Sequence, residues 1–140
     1  ERANYNCTFD TTNSFFFPLY SEECDYAETK SDEALKTSVT QNNKFASGRL
    51  IVDGFEITDL SKYHFTTDFF DITYGQVNPY NTPSGTYRAL VDGLFIFLKP
   101  FSEGTHELKY SVTQATPDGN NFAAEITYRL DIQGNTNYVK

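Results

Sequence analysis

Polar and apolar residues alternate along two stretches of this chain almost without a break. From Thr105 to Thr113 the even positions are His106, Leu108, Tyr110 and Val112, and the odd ones are Thr105, Glu107, Lys109, Ser111 and Thr113. From Phe122 to Ile132 the even positions read Phe, Ala, Ile, Tyr, Leu, Ile, against Glu125, Thr127, Arg129 and Asp131 on the odd side. Successive side chains of a strand point to opposite faces, so each stretch predicts a strand with one dry and one wet face. Strands of this kind belong to antiparallel sheets packed on one side only.

Shorter strands are expected upstream. They fall at Asn4–Asp10, Leu35–Thr40, Ala46–Asp53, Ile57–Leu60 leading into Tyr63–Thr73, and Thr86–Val91. Phe15–Tyr20 is strongly apolar, and Pro18 confines it to an edge, a strand end or a bulge. Leu94–Leu98 is apolar throughout, as expected of a strand covered on both faces. Asp53-Gly54, Asp92-Gly93 and Pro117–Asn120 read as turns, Gly75–Gly85 as a loop, and the tail from Gln133 as polar. Residues 1–33 are the least regular part. Within them Glu22–Glu33 holds six acids against Lys30 alone, the mark of a solvated loop or a short exposed helix. No long segment of period 3.6 is evident. About eight strands, with turn signals every ~8–12 residues, predict one all-β domain over 1–140. The expected architecture is a two-sheet antiparallel β-sandwich, immunoglobulin-like or jelly-roll in topology.

Composition narrows the function. The 140 residues carry a net charge of -8, which argues against nucleic acid, whose phosphates need clustered Lys and Arg, and against anionic membrane. The longest apolar runs, Phe15–Phe17 and Leu94–Leu98, fall far short of the roughly 20 residues that span a bilayer, so no membrane insertion is expected. The first residue is Glu1, and the expectation is that a targeting peptide was removed or the domain was cut from something larger. Cys7 and Cys24, near one end of an all-β chain, suggest a disulfide closing a short loop, with about 3 kcal/mol of stabilisation in the chain-entropy model. Asn6-Cys7-Thr8 is a glycosylation sequon at Asn6. Together these features point to an extracellular or cell-surface setting.

The segment Val91–Val112 reads V-D-G-L-F-I-F-L-K-P-F-S-E-G-T-H-E-L-K-Y-S-V. It resembles a pattern of small secreted microbial β-sandwich proteins of poorly defined function: D-G, an aromatic-rich strand, L-K-P-L, a G-x-H corner and an alternating strand. It is also similar to the L-x-x-G-x-H/Y corner of immunoglobulin-like domains. A V-D-G echo stands upstream at Val52-Asp53-Gly54. The resemblance covers Arg88 to the last strand and excludes both cysteines. It implies the fold and an extracellular setting, and no catalytic residue. At the corner, Gly104 supplies a backbone conformation that other residues resist. His106 falls on the apolar face of its strand, where its ring can bond back to loop carbonyls, much as a tyrosine corner does.

Candidate chemistry is sparse. Nucleophilic catalysis needs a base beside a Ser or Cys, and the only histidines are His64 and His106, with no G-x-S-x-G. The spacing of the cysteines and histidines does not fit zinc. Calcium is possible, on the Glu22–Glu33 acids or on Asp68 and Asp71 near Asp53. Loop tyrosines Tyr20, Tyr26, Tyr80 and Tyr138 could stack on sugar rings, and Tyr80-Asn81 is the best placed loop for a ligand. The expected function is a non-catalytic secreted or cell-surface structural protein, associating with itself or other surface proteins through sheet edges and apolar aromatics. The alternative is a carbohydrate- or calcium-binding module with glycan partners.

Overall fold

The structure, a computed structural model, describes residues 1–44, 46–115 and 121–134. In chain order the elements are β1 (Arg2–Asp10), β2 (Phe15–Asp25), α1 (Asp32–Asn43), β3 (Ala46–Val52), β4 (Phe55–Glu56), a 3-10 turn at Leu60–Tyr63, β5 (His64–Thr66), β6 (Phe70–Tyr74), β7 (Gly85–Leu98), β8 (Gly104–Ala115) and β9 (Asn121–Gln133). Two sheets form the expected sandwich. One has five strands in the order β1-β9-β8-β3-β4; in the other, β7 pairs with β2 on one side and with β5 and β6 on the other. All pairings are antiparallel except β1 with β9, which is parallel.

The alternation in β8 and β9 faces as the sequence predicts. Leu108, Val112, Leu130 and Ile132 are buried, with Tyr110 and Tyr128 half-buried against them. Of these, Leu108, Leu130, Ile132 and the two tyrosines meet Leu19, Leu94 and Ile96 of the second sheet in the main core. Pro18 sits where β2 slips its register against β7, between Pro18 and Tyr20. A bulge leaves one residue unpaired, here Leu19, and the Tyr110 hydroxyl donates across the sandwich to the Leu19 carbonyl at 2.5 Å.

Several expectations are corrected. Residues 1–33 are not irregular: β1 and β2 occupy most of them, and β2 runs into the acidic stretch as far as the buried Asp25. Leu35–Thr40 is helical, not a strand. Ser31 caps α1 by accepting from the Ala34 amide at 3.1 Å, and Asp32 and Glu33 stand in its first turn, next to the positive end of the helix dipole. Leu35 and Val39, four apart, are fully buried over Cys24 and Leu90 in a second, smaller core. That apolar stripe is two residues wide, and three Thr and Val side chains give the segment a strand-like composition. Asp92-Gly93 is not a turn. Thr86–Val91 and Leu94–Leu98 are parts of the single strand β7, and Gly93 lies in its middle. A Cβ there would come within 2.5 Å of the Tyr20 carbonyl oxygen, so the glycine is required by the close passage of the β2 bulge.

The disulfide does not form: both cysteines are free. Cys7 pairs in register with Leu130 and packs against the main core. Cys24 pairs with Leu90 under α1, in the second core, and its thiol donates to Ser38 Oγ at 3.3 Å. The expected turn at Pro117–Asn120 and Tyr138 lie outside the described residues.

Candidate functional site

Residues opposite one another in an antiparallel pair share a face. On the inner face of the four-stranded sheet, Phe15, Phe17, Leu94 and Ile96 meet the five-stranded sheet, and Cys24 and Leu90 meet α1. The outer face carries Phe16 opposite Phe97, Pro18 opposite Phe95 and Phe65 opposite Gly93. Neither the helix nor the other sheet covers it. Phe97 is 75% exposed, Phe65 58% and Phe16 53%. The expectation that Leu94–Leu98 is covered on both faces is therefore wrong: the run is apolar because one face fills the core and the other presents rings outward. Phe16 stacks on Phe95 at 5.7 Å between centroids and meets Phe97 at 4.8 Å. With Tyr63 and Phe70 these rings wall a groove of about 540 Å³. Lys62 and His64 also line it, brought there by the 3-10 turn and β5.

Both histidines are paired with aspartates, and each aspartate belongs to one of the two Val-Asp-Gly tripeptides. His64 Nε2 lies 3.1 Å from Asp92 Oδ2. Asp92 is 1% exposed and also accepts from Thr66 Oγ1 at 2.6 Å and from Asn43 Nδ2 at 2.9 Å. A carboxylate buried this deeply needs such donors. It ties the end of α1, β5 and β7 into one node. His64 pairs in register with Leu94, so its side chain stands on the inner face of the sheet, the side on which it meets Asp92.

At the second pair, His106 Nδ1 lies 2.7 Å from Asp53 Oδ2 and Nε2 lies 3.0 Å from the Ser102 carbonyl oxygen. The Asp53 carboxylate and the Ser102 carbonyl both accept, an arrangement that favours the protonated ring, and the Ser102 hydroxyl lies 3.5 Å from Nε2. The Asp53 bond raises the His106 pKa above its ordinary value, against the opposing effect of burial and with help from Ser102. Burial pushes Asp53 up, but the His106 and Glu107 hydrogen bonds outweigh it and leave the carboxyl below its usual range. Gly104, at φ 133°, turns the chain into β8 at this corner. The Val52-Asp53-Gly54 echo thus supplies the partner of the corner histidine.

The other candidate residues are scattered. Tyr80 is 73% exposed and touches the Tyr74 ring edge-on, while Asn81 adopts a left-handed φ of 54°. The loop's hydrogen bonds close inward on Asn78, whose side chain donates to the Gly75 and Thr82 carbonyls and accepts from the Tyr80 and Thr82 amides. Tyr20 packs on the main core, and Tyr26 donates to Asp32 Oδ1. Asn6 is exposed on β1. Asp53 belongs to the histidine corner, whereas Asp71 pairs in register with Arg88 in the other sheet. Among the described residues no three His, Cys, Asp or Glu side chains are placed to hold a metal ion. Among the described residues no helix is long and apolar enough to cross a membrane.

Sequence patterning missed the groove because uniform apolarity in Leu94–Leu98 does not say which rings point outward. The alternation of Phe95 and Phe97 with Leu94, Ile96 and Leu98 is the signal that could have found it. No protein-family model, curated protein or solved structure matches the chain.

Proposed function

We propose that this protein is a non-catalytic binding module and that it takes a small apolar molecule in the groove on the outer face of its four-stranded sheet. The observation that carries this reading is the ring cluster Phe16, Phe65, Phe95 and Phe97, left open in an otherwise acidic chain. Contiguous exposed apolar surface on a soluble domain marks an interaction site more often than an accident of folding. A groove of about 540 Å³ falls within the roughly 300–1,000 Å³ of small-molecule sites, and its aromatic walls with few polar groups follow the same pattern. Carbohydrate fits less well, because sugar hydroxyls need hydrogen-bonding side chains beside the rings, and phenylalanine supplies none.

The test is binding of a neutral hydrophobic dye such as Nile red to the intact chain and to the double variant Phe65→Ser/Phe97→Ser. Both side chains are exposed, so the fold is expected to survive, with dye binding reduced by about tenfold or more. Equal dye binding by a folded double variant would reject the groove.

A second reading, self-association as a structural subunit, is favoured by the high exposure of Phe97, Phe65 and Phe16. Sedimentation velocity over a wide concentration range separates the two. A dimer dissociated by the same double variant supports assembly, and a monomer that binds dye supports the module.

A further inference from the structure

We propose that this chain forms a symmetric dimer by pairing β1 with β1 of a second copy, which joins the two five-stranded sheets into one continuous sheet. The inference is independent of the groove. An exposed strand edge invites pairing, and proteins blunt such edges with short strands, proline, bulges or lysine. The other edges of this molecule carry those devices. β4 is two residues long, β2 has Pro18 and its register slip, and β5 and β6, three and five residues long, share one side of β7. By contrast, β1 runs for nine residues without proline, glycine or lysine, and among the described residues it pairs only with β9.

The backbone fixes the register. Just before β1 the Glu125 amide donates to the Glu1 carbonyl at 2.9 Å, and just past its end the Thr11 amide donates to the Gln133 carbonyl at 3.2 Å. Odd-numbered residues therefore turn their N–H and C=O toward β9, and even-numbered ones turn theirs to the open edge. Asp10 is already satisfied: its amide donates to Asn13 Oδ1 at 3.0 Å and its carbonyl accepts from the Asn13 amide at 3.2 Å. That leaves Arg2, Asn4, Asn6 and Thr8, a set symmetric about Tyr5. An antiparallel copy with its twofold axis at Tyr5 pairs Arg2 with Thr8 of the partner subunit and Asn4 with Asn6 of the partner subunit, so every outward group finds a mate. Such a contact is isologous and closes at two copies. The same register sets Tyr5, 46% exposed, against its own copy. It also brings Arg2 diagonal to Asp10 of the partner subunit, an opposite-charge match at both ends. Arg2 pairs with Glu125 of its own sheet at 2.8 Å, and a guanidinium has donors enough for two carboxylates.

The experiment is sedimentation velocity of the intact chain from micromolar to millimolar concentration, where a reversible monomer–dimer equilibrium is expected. Asn6→Pro removes an N–H that points to the open edge, a change that an edge strand tolerates. It should weaken dimerisation by about tenfold or more with native circular dichroism. Asn4→Lys/Asn6→Lys sets like charges opposite one another across the twofold axis and should dissociate the dimer. Asn4→Lys/Asn6→Asp sets opposite charges there and should restore it, a rescue specific to the register centred on Tyr5. If Asn6→Pro unfolds the chain, these exposed double variants decide. A chain that stays monomeric throughout would overturn the proposal, and so would a lysine pair that the Lys/Asp pair does not rescue. A dimer dissociated by Phe65→Ser/Phe97→Ser and not by the β1 variants would overturn it as well and place the contact on the ring face.

Discussion

Tyr110 links the two sheets through one hydroxyl. The β2 bulge leaves Leu19 without a register partner in β7, and the phenol donates to its carbonyl from the opposite sheet. Burial pushes the Tyr110 phenol up, so it remains a donor throughout the neutral range. Tyr110→Phe leaves a buried carbonyl unpaired and should cost about 1–3 kcal/mol in urea unfolding. The sequence placed Tyr110 on the dry face of its strand but gave no sign of its partner, which lies 91 positions away. The His106–Asp53 pair behaves in the same way, with a partner 53 positions off, and it makes a pH prediction. The folded pKa of His106 is raised above 6.5, so its contribution is complete below that value and is lost as pH rises through the folded pKa. The folded pKa of Asp53 is lowered below 3.8, so its contribution is present above that value and is lost as pH falls. The corner is therefore strongest in the window between these two ordinary values. The difference in Tm between the natural chain and His106→Gln should be largest near the middle of that window and shrink on the alkaline side. A difference that grows with rising pH would contradict the raised His106 pKa.

At the scale of elements, β7 is the organising strand. It pairs with β2, β5 and β6, and its buried face changes partner from α1 at Leu90 to the five-stranded sheet at Leu94 and Ile96. Asp92 stands at the change, where helix and strands meet around a satisfied carboxylate rather than a hydrocarbon contact. Gly93 beside it admits the β2 bulge. Gly93→Ala forces backbone against backbone and should destabilise by about 1–3 kcal/mol, read as a lower urea midpoint at unchanged slope. A neutral result would mean that the bulge relaxes freely. Dipeptide rules read Asp92-Gly93 as a turn because glycine's two uses, left-handed turns and close backbone approach, look alike in sequence. The helix was hidden for a related reason: Leu35 and Val39 alone make too narrow a stripe for a 3.6 period to stand out.

At the scale of the whole molecule, one edge of the five-stranded sheet is closed by β1, which adds in parallel to β9 from the start of the chain. Removing residues 1–10 would open the β9 edge and strip Cys7 from the core margin. The shortened chain should scatter light at concentrations where the full chain does not. Equal solubility would show that β1 is dispensable as an edge cover. The sequence by itself determined the sandwich, because alternation in β8 and β9 is a local property of the pleat and leaves each strand one face that must be buried. It also determined that Pro18 must sit at an edge, a strand end or a bulge, and the inward position of His106. Only the tertiary structure decided which aspartate meets which histidine, that Cys7 and Cys24 belong to separate cores, and that the outer rings of β2, β5 and β7 stay open. Those outcomes depend on where α1 and the second sheet land on β7, a matter of contacts between residues far apart in the chain, which no local period records.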